Sequence, residues 1–306
     1  MINNSSNNNK VKKGLLRPEE LVRIKDLFIF ARQVVEGFAT GHHKSPFKGF
    51  SLEFAEHRKY VLGDELKHVD WKVYGRTQKY FVKLYEAETN MRVHILLDRS
   101  NSMNFSFANA PSKILYSTYL SAALAYIVSK QQDLAGLVTF NDTSIDMIPA
   151  RNSTVHLKIL MDKLSSINAN GKTSIANAIN QLAQKLKKRG LIIIISDLLD
   201  ESSELIKAIT RLKHSKHEII VFHVLDNAEI SFPYKVPTTF LDMEGSERIT
   251  VDPIALRKEY IDSMNHFQKE MKTSLSKMNV DYVLTNTMVP FEYVLSNYLN
   301  MRRKIS

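Results

Sequence analysis

Short apolar runs that alternate with amphipathic stretches are the feature that most constrains the fold of this 306-residue chain. The clearest runs are Val93 to Leu97, Leu134 to Phe140, Leu191 to Ser196 and Ile219 to Leu225. Strands that lack polar alternation are buried on both faces, which is typical of a parallel sheet covered by helices. The pattern therefore predicts a doubly wound, mostly parallel α/β sheet over about 91–285.

Helical periodicity separates these runs. The predicted helices cover residues 112–130, 153–164, 174–188, 202–214 and 253–277. A strand at Asp281 to Leu284 and a final helix from about Pro290 follow. Ser144 to Ile148 is predicted to form a hairpin with the strand that precedes it.

The first 90 residues differ from the rest of the chain. Residues 1–13 form an Asn/Ser/Lys-rich tail, which we expect to be disordered because it has little apolar surface to bury. Apolar positions predict a helix from Pro18 to about Phe38, and alternation predicts a strand at Lys79 to Glu86. We therefore expect an N-terminal helix-plus-strand segment over 14–90, packed on the sheet. The sheet domain would cover 91–285 and a C-terminal helix 286–306.

Composition excludes several classes of protein. The chain has no cysteine, so disulfide scaffolds, cysteine-ligated metals and cysteine nucleophiles are excluded. No apolar run approaches the ~20 residues of a transmembrane helix, and the start lacks a secretory signal pattern. We expect a cytoplasmic protein without a transmembrane segment. The net charge of +10 is not concentrated in a nucleic-acid-binding motif, so we predict no nucleic-acid partner. Two explanations of the excess positive charge are left: it forms a basic face that binds an acidic protein, or it lies on a solvated surface.

Oxygen-bearing side chains follow the predicted strands. Asp98, Ser100 and Ser102 come at the end of the first strand, Asp197 follows the strand 191–196, and Thr173 precedes a helix. In doubly wound sheets, ligands bind beyond the carboxyl ends of the strands near the topological switch point. Carboxylates and hydroxyls are hard oxygen ligands, which suit Mg²⁺. We refer to these five residues as the strand-end site.

The strand-end site resembles the metal-ion-dependent adhesion site of von Willebrand factor A domains. That resemblance implies that Ser100, Ser102 and Thr173 ligate the metal directly, and that Asp98 and Asp197 act directly or through water. The implied metal is Mg²⁺, with Mn²⁺ or Ca²⁺ as alternatives. An open coordination position would accept an acidic residue from a protein partner.

The N-terminal third carries a second resemblance. Its motif is Gly49-x-x-x-Glu53-Phe54-x-x-x-Arg58-x-Tyr60-x-x-Gly63-Asp64, then Val69-Asp70-Trp71-Lys72, then Gly75-Arg76. It resembles the bacterial "domain of unknown function fifty-eight" family, in which such a segment leads into a von Willebrand A-like domain. The family usually has Ala where this chain has Gly75. The resemblance implies a non-enzymatic adaptor that works with a MoxR-type AAA+ ATPase in assembly or maturation of client proteins.

A metal-dependent hydrolase of the phosphoesterase type is the alternative function for the same site. It would need a general base near the metal, and Asp197 or Asp200 could serve. Phosphatases with an Asp nucleophile carry a second Asp two residues later, where this chain has Ser100. That difference favours the non-enzymatic adaptor over the hydrolase.

Two basic residues and a glycine-rich loop need separate interpretation. Arg99 or Lys172 could neutralise the carboxylates and keep a metal out. The loop Gly171-Lys172-Thr173 suggests a phosphate-binding P-loop, but Ser166 occupies the place of the first required glycine. We therefore predict no nucleotide site there.

A charged cluster around the lone tryptophan has two interpretations. Arg58, Asp64, Asp70, Trp71 and Arg76 lie close together in the sequence. They could form a partner surface or pocket, or a buried Arg–Asp network under Trp71. Because buried charges must be paired, we favour the structural interpretation.

Overall fold

The computed structural model describes residues 18, 26–41, 56–61, 69–84, 91–186, 188–245 and 247–305. The chain divides into two compact units. One is His42–Asn90, and the other combines Met1–Gly41 with Met91–Ser306.

Ten strands are assigned within the described residues. They are β1 (Glu56–Lys59), β2 (Phe81–Leu84), β3 (Arg92–Asp98), β4 (Leu134–Phe140), β5 (Ile145–Arg151), β6 (Leu191–Ser196), β7 (Glu218–Leu225), β8 (Thr238–Leu241), β9 (Arg248–Val251) and β10 (Asp281–Asn286).

Nine α-helices are assigned in the same part of the chain. They are α1 (Leu27–Gly41), α2 (Trp71–Thr77), α3 (Lys113–Lys130), α4 (Thr154–Ser165), α5 (Ile175–Lys185), α6 (Ser202–His214), α7 (Asn227–Ser231), α8 (Pro253–Lys277) and α9 (Phe291–Ile305). Side chains start several of them: Ser112 caps α3, Ser153 caps α4, and Asp252 caps α8, where Pro253 occupies the first turn.

The larger unit is built on a six-stranded sheet in the order β10-β7-β6-β3-β4-β5. All neighbours are parallel except β4 and β5, which form the predicted antiparallel hairpin. From β3 the chain first builds outward through β4 and β5, then returns to the other side with β6. The topological switch point therefore lies between β3 and β6. The prediction of a doubly wound, mostly parallel sheet is confirmed.

Helices bury both faces of this sheet. Leu96 of β3 and Ile194 of β6 lie in one core cluster with Ile179 of α5 and Leu205 of α6, and each is fully buried. Because side chains alternate along a strand, neighbouring Ile95 points to the other face, where α3 contacts β3 and β4. Helix α1 contacts α3 in turn. Each fully buried aliphatic side chain contributes roughly 1.5–3 kcal/mol, so this core fixes the strand ends in place.

The smaller unit has β1 and β2 paired antiparallel, with α2 between them in the sequence. The Asp70 carboxylate accepts hydrogen bonds from the backbone N–H groups of Lys72 and Val73 and thereby caps α2. Trp71 is 57% exposed. The prediction that Trp71 covers a buried charge network is therefore wrong. Asp64 and the side chain of Arg58 lie outside the described residues.

Two predicted boundaries differ from the structure. The N-terminal helix begins at Leu27 rather than at Pro18, because the Asp26 carboxylate accepts the N–H groups of Phe28 and Ile29 and caps the first turn there. The strand predicted to begin at Lys79 begins at Phe81, and its predicted end at Glu86 lies outside the described residues. Residues 1–17, 19–25 and 85–90 lie outside the described part of the chain, so the predicted disordered tail stays a prediction.

The hairpin formed by β8 and β9 was not predicted from the sequence. Its two strands pair antiparallel from Thr238 with Val251 to Leu241 with Arg248. Each has only four residues, too few to give a clear alternating pattern.

Candidate functional site

The turn after β3 brings three predicted site residues together. The buried Asp98 carboxylate accepts the backbone N–H of Ser100 at 2.9 Å. A 3₁₀ turn over Asn101–Asn104 follows, and it places the hydroxyl oxygens of Ser100 and Ser102 3.0 Å apart. Both serines are buried. The sequence therefore folds into a sharp turn that presents alternate polar side chains at one point.

The end of β6 meets this turn across the topological switch point. The Ser196 hydroxyl donates a hydrogen bond of 2.6 Å to the Asp98 carboxylate, and Asp197 follows it, fully buried. Burial and the neighbouring negative charge of Asp197 raise the pKa of Asp98 to about 7. Two buried carboxyl groups thus lie close enough to influence each other electrostatically.

The loop that carries Thr173 runs beside the same turn. The N–H of Asn101 donates to the Gly171 carbonyl, and the N–H of Asn170 donates to the Arg99 carbonyl, each at 2.8 Å. Gly171 has a φ of +75°, and a Cβ there would lie 2.6 Å from an Asp142 carboxylate oxygen, so the position needs glycine. The loop follows α4 rather than a strand, which agrees with the absence of a P-loop.

The Thr173 side chain bonds to a residue that the sequence did not bring into the site. Its hydroxyl donates to one carboxylate oxygen of Glu244 at 3.1 Å, and its backbone N–H donates to the other at 3.0 Å. Glu244 belongs to the β8–β9 hairpin. Glu244 also lines a cavity of about 480 Å³ together with Ser102 and Lys172.

A second unforeseen residue, Lys113, lies at the start of α3. Its ammonium group donates to Asp197 at 2.8 Å and to Glu229 at 2.7 Å, and its side chain is 1% exposed. Burial alone would lower the pKa of Lys113, but attraction to Asp197 and Glu229 outweighs it and raises the pKa. Lys113 therefore stays charged and neutralises part of the site.

Neither basic residue that the sequence suggested as a neutralising group pairs with the site carboxylates in the described residues. The Arg99 guanidinium donates to Asn170 at 2.6 Å and also to the Ser144 hydroxyl. Lys172 is exposed, although it lines the cavity. Arg99 instead ties the first loop to its neighbours.

The donor set fits a small divalent cation. Oxygen ligands of Mg²⁺ lie at about 2.0–2.1 Å in octahedral geometry, so adjacent ligands are roughly 3 Å apart, as the Ser100 and Ser102 hydroxyl oxygens are. Asp98, Asp197 and Glu229 bring three carboxyl groups to this point, and Lys113 bonds to two of them, Asp197 and Glu229. Burial raises the pKa of Asp98 and Glu229, and a bound cation would favour their ionised forms. The described residues hold no group of three His, Cys, Asp or Glu side chains suited to a metal. A bound cation would therefore need serine hydroxyls and water in addition to carboxylates.

Near Asp197, no histidine in the described residues has a free ring nitrogen that could act as the general base of the alternative hydrolase. His223 is near Asp197, but its Nε2 is hydrogen-bonded to the Asp197 carbonyl at 3.0 Å and its Nδ1 to the Tyr282 hydroxyl at 2.6 Å. Burial lowers the pKa of His223 to about 4. Both ring nitrogens are already engaged in the fold.

Comparison with known proteins places these features in a family. The family model described as "Protein of unknown function DUF58" matches residues 56–270. The uncharacterized protein Rv1480 of Mycobacterium tuberculosis is 25% identical over 250 residues, which cover 79% of this chain and 77% of that protein. The uncharacterized protein Mb1516 of Mycobacterium bovis shows the same identity and coverage.

Solved structures give similarities at lower identity. BatB from Bacteroides thetaiotaomicron aligns with a TM-score of 0.47 and 17% identity, over 70% of this chain and 98% of that one. The SpRpn10 VWA domain aligns with a TM-score of 0.39 and 15% identity, over 68% and 95% of the two chains. In the described residues no helix is both long and apolar enough to cross a membrane. The match to the family model extends over most of the sequence, and the chain belongs to the DUF58 family of proteins of unknown function.

Proposed function

We propose that the strand-end site binds an acidic side chain of a partner protein with the help of a divalent cation. The residues that would hold the cation are Asp98, Ser100, Ser102, Thr173 and Asp197. The proposed cation is Mg²⁺, with Mn²⁺ or Ca²⁺ as alternatives. When bound, it would supply a positive charge with an unfilled coordination position for a carboxylate.

The observation that carries this proposal is the paired hydroxyl oxygens of Ser100 and Ser102 beside the buried Asp98 carboxylate, at the switch point of the sheet. Buried polar groups in such a turn must be satisfied. The Ser100 hydroxyl interacts with the Ser102 hydroxyl and with the Asp98 carboxyl group, so the three side chains form one buried polar cluster. A cluster of oxygen atoms at the carboxyl edge of the sheet supports the proposal of a cation there.

The proposed partner is a MoxR-type AAA+ ATPase, and the proposed role is that of an adaptor in assembly or maturation of client proteins. The resemblance of residues 49–76 to the family motif supports this role. It is an interaction role, in which the protein performs no chemical step. The chain's own contribution is to orient a carboxylate at the edge of a rigid sheet.

Capture of a purified MoxR-type AAA+ ATPase from the same genome tests the proposal. We expect EDTA and Asp98→Asn to weaken capture alike, by at least about tenfold. Asn keeps the shape of the Asp98 side chain and can still bond to Ser196 and Ser100, so the variant removes the charge with little change in packing. Asp146→Asn is the matched control, because Asp146 is 52% exposed and pairs with Lys163 outside the site. Capture that is unchanged by both EDTA and Asp98→Asn would remove the proposal.

A further inference from the structure

The β8–β9 hairpin reaches the strand-end site through one carboxylate. Glu244 accepts both the hydroxyl and the backbone N–H of Thr173, one on each carboxylate oxygen. Two parallel hydrogen bonds to an ionised carboxylate are stronger and more directional than neutral ones. The resemblance implies that Thr173 ligates the metal at which a partner's carboxylate would bind, and a carboxylate of the same chain is already bound to Thr173.

The described residues of the hairpin tip, 242–245 and 247, form contacts that present this side chain. The Asp242 carboxylate accepts the N–H of Glu244 at 2.9 Å, and the N–H of Asp242 donates to the Glu247 carbonyl at 3.0 Å. A Cβ at Gly245 would lie 2.3 Å from an Asp242 carboxylate oxygen, so a larger residue there would displace the Asp242 side chain that accepts the N–H of Glu244. These contacts order the backbone on either side of Glu244 before it meets Thr173.

The base of the hairpin and its tip are held differently. At the base, Phe240 packs on Phe232 and Tyr234, with ring centroids 5.8 and 4.9 Å apart. At the tip, the apolar neighbours of Glu244 face solvent, since Leu241 is 59% and Met243 is 39% exposed. The base can thus stay folded while the tip leaves the site, and the hydrogen bonds from Thr173 to Glu244 hold the tip in place.

Between the tip and the strand ends lies the cavity of about 480 Å³. Its walls combine Ser102, Lys113 and Lys172 from the sheet unit with Leu241, Met243 and Glu244 from the hairpin. Asp242 and Glu229 also line the cavity, and the Lys113 ammonium group is bonded to Glu229 and to Asp197. The exposed Lys172 and the Ser102 hydroxyl therefore lie in the same cavity wall as a carboxylate that follows apolar side chains. The hairpin tip shows which chemistry this surface accepts.

We propose that Glu244 is a built-in occupant of the carboxylate position at Thr173, and that the partner segment which displaces it carries an acidic residue preceded by apolar residues. This inference rests on the proposed function, because it names the occupant of the same site and the chemistry of the ligand that competes with it. A tethered ligand competes at a millimolar effective concentration. The apparent affinity for the partner is then the intrinsic affinity multiplied by the fraction of molecules in which the tip is open.

A direct test uses a fluorescein-labelled peptide with the sequence of residues 239–245, Thr-Phe-Leu-Asp-Met-Glu-Gly. We expect the full chain carrying Glu244→Ala to bind this peptide at least about tenfold more tightly than the wild type. Glu247→Ala is the matched control on the same hairpin, and it should behave as the wild type. A peptide with Gln in place of its Glu should not compete. Equal binding by wild type and Glu244→Ala, or no binding by Glu244→Ala at millimolar peptide, would overturn the proposal.

Hydrogen exchange gives a readout that is independent of the peptide. The Thr173 amide should exchange at least about tenfold faster in Glu244→Ala than in the wild type or in Glu247→Ala, because its acceptor is removed. An unchanged rate would overturn the proposal as well. A failure of the proposed function can be told apart from a failure of this inference. If the proposed function fails, Asp98→Asn leaves capture of the AAA+ ATPase unchanged. If only the inference fails, Asp98→Asn loses capture while Glu244→Ala captures like the wild type.

Discussion

Replacement of Lys113 by methionine tests whether the charge balance of the strand-end site is as the structure shows it. Lys113 is the one ammonium group that bonds to Asp197 in the described structure, and it also bonds to Glu229. Methionine has a similar length and is apolar, so Lys113→Met fills the same space and removes the charge. The variant leaves the Asp197 carboxylate, which is 0% exposed, without its cation.

The expected cost follows from this burial. Removal of one partner of a buried ion pair typically destabilises a protein by about 3–5 kcal/mol, because the remaining charge is desolvated and uncompensated. We expect Lys113→Met to lower the free energy of unfolding by that amount. The effect should be present at neutral pH, since the raised pKa of Lys113 keeps the group charged until the pH exceeds its usual value of 10.5.

Urea unfolding followed by circular dichroism measures this loss, with an unchanged dependence on denaturant as the sign that the folded state is intact. Lys207→Met is the matched control, because Lys207 is 61% exposed and its pair with Glu204 lies on the surface. Such pairs contribute about 0–1 kcal/mol. A loss below about 1 kcal/mol for Lys113→Met would refute the assigned role of Lys113.

Three further predictions follow from other parts of the structure. Burial, with the charges of His217 and Arg92, lowers the pKa of His94 to about 4, so its contribution to stability is present above about pH 6.5 and is lost as the pH falls towards 4. Between pH 7.5 and 5 the free energy of unfolding should therefore fall by about 2 kcal/mol more in the wild type than in His94→Leu, where buried His223 still titrates. In Gly190→Ala the new Cβ would lie 2.3 Å from the Arg92 carbonyl, so urea unfolding should show a loss of about 1–3 kcal/mol, whereas Gly37→Ala, with open space around it, should gain up to about 1 kcal/mol. A phosphoesterase screen with Mg²⁺ or Mn²⁺ should show no turnover, and turnover abolished by Asp98→Asn would support the hydrolase instead.

The sheet could be predicted because the residues that specify each strand are adjacent in the sequence. Runs such as Leu191 to Ile195 have no polar position, and a strand that is covered on both faces buries every side chain of such a run. The strand ends are then fixed by the sheet, and the Asp98 turn and Asp197 come together across the switch point. Capping by short side chains is also local, and the Asp26 cap of α1 is a signal that the prediction of a helix start at Pro18 did not use.

Lys113 and Glu244 could not be predicted in the same way because their roles depend on contacts distant in the sequence. Lys113 begins a helix that is otherwise apolar and polar-uncharged until Lys130, and a lysine at a helix start normally points to solvent. Its partners lie 84 and 116 residues away. Glu244 lies 71 residues from Thr173, at the tip of a hairpin whose strands are too short to give an alternating pattern of apolar residues. The turn residues Asp242 and Gly245 were the one local signal of that hairpin.

Binding of Mn²⁺, followed by electron paramagnetic resonance, tests the central claim that the strand-end site holds a divalent cation. We expect one Mn²⁺ per chain, displaced by Mg²⁺, with affinity at least about tenfold lower in Asp98→Asn and unchanged in Asp146→Asn. No bound Mn²⁺ in the wild type, or equal affinity in Asp98→Asn, would contradict the claim.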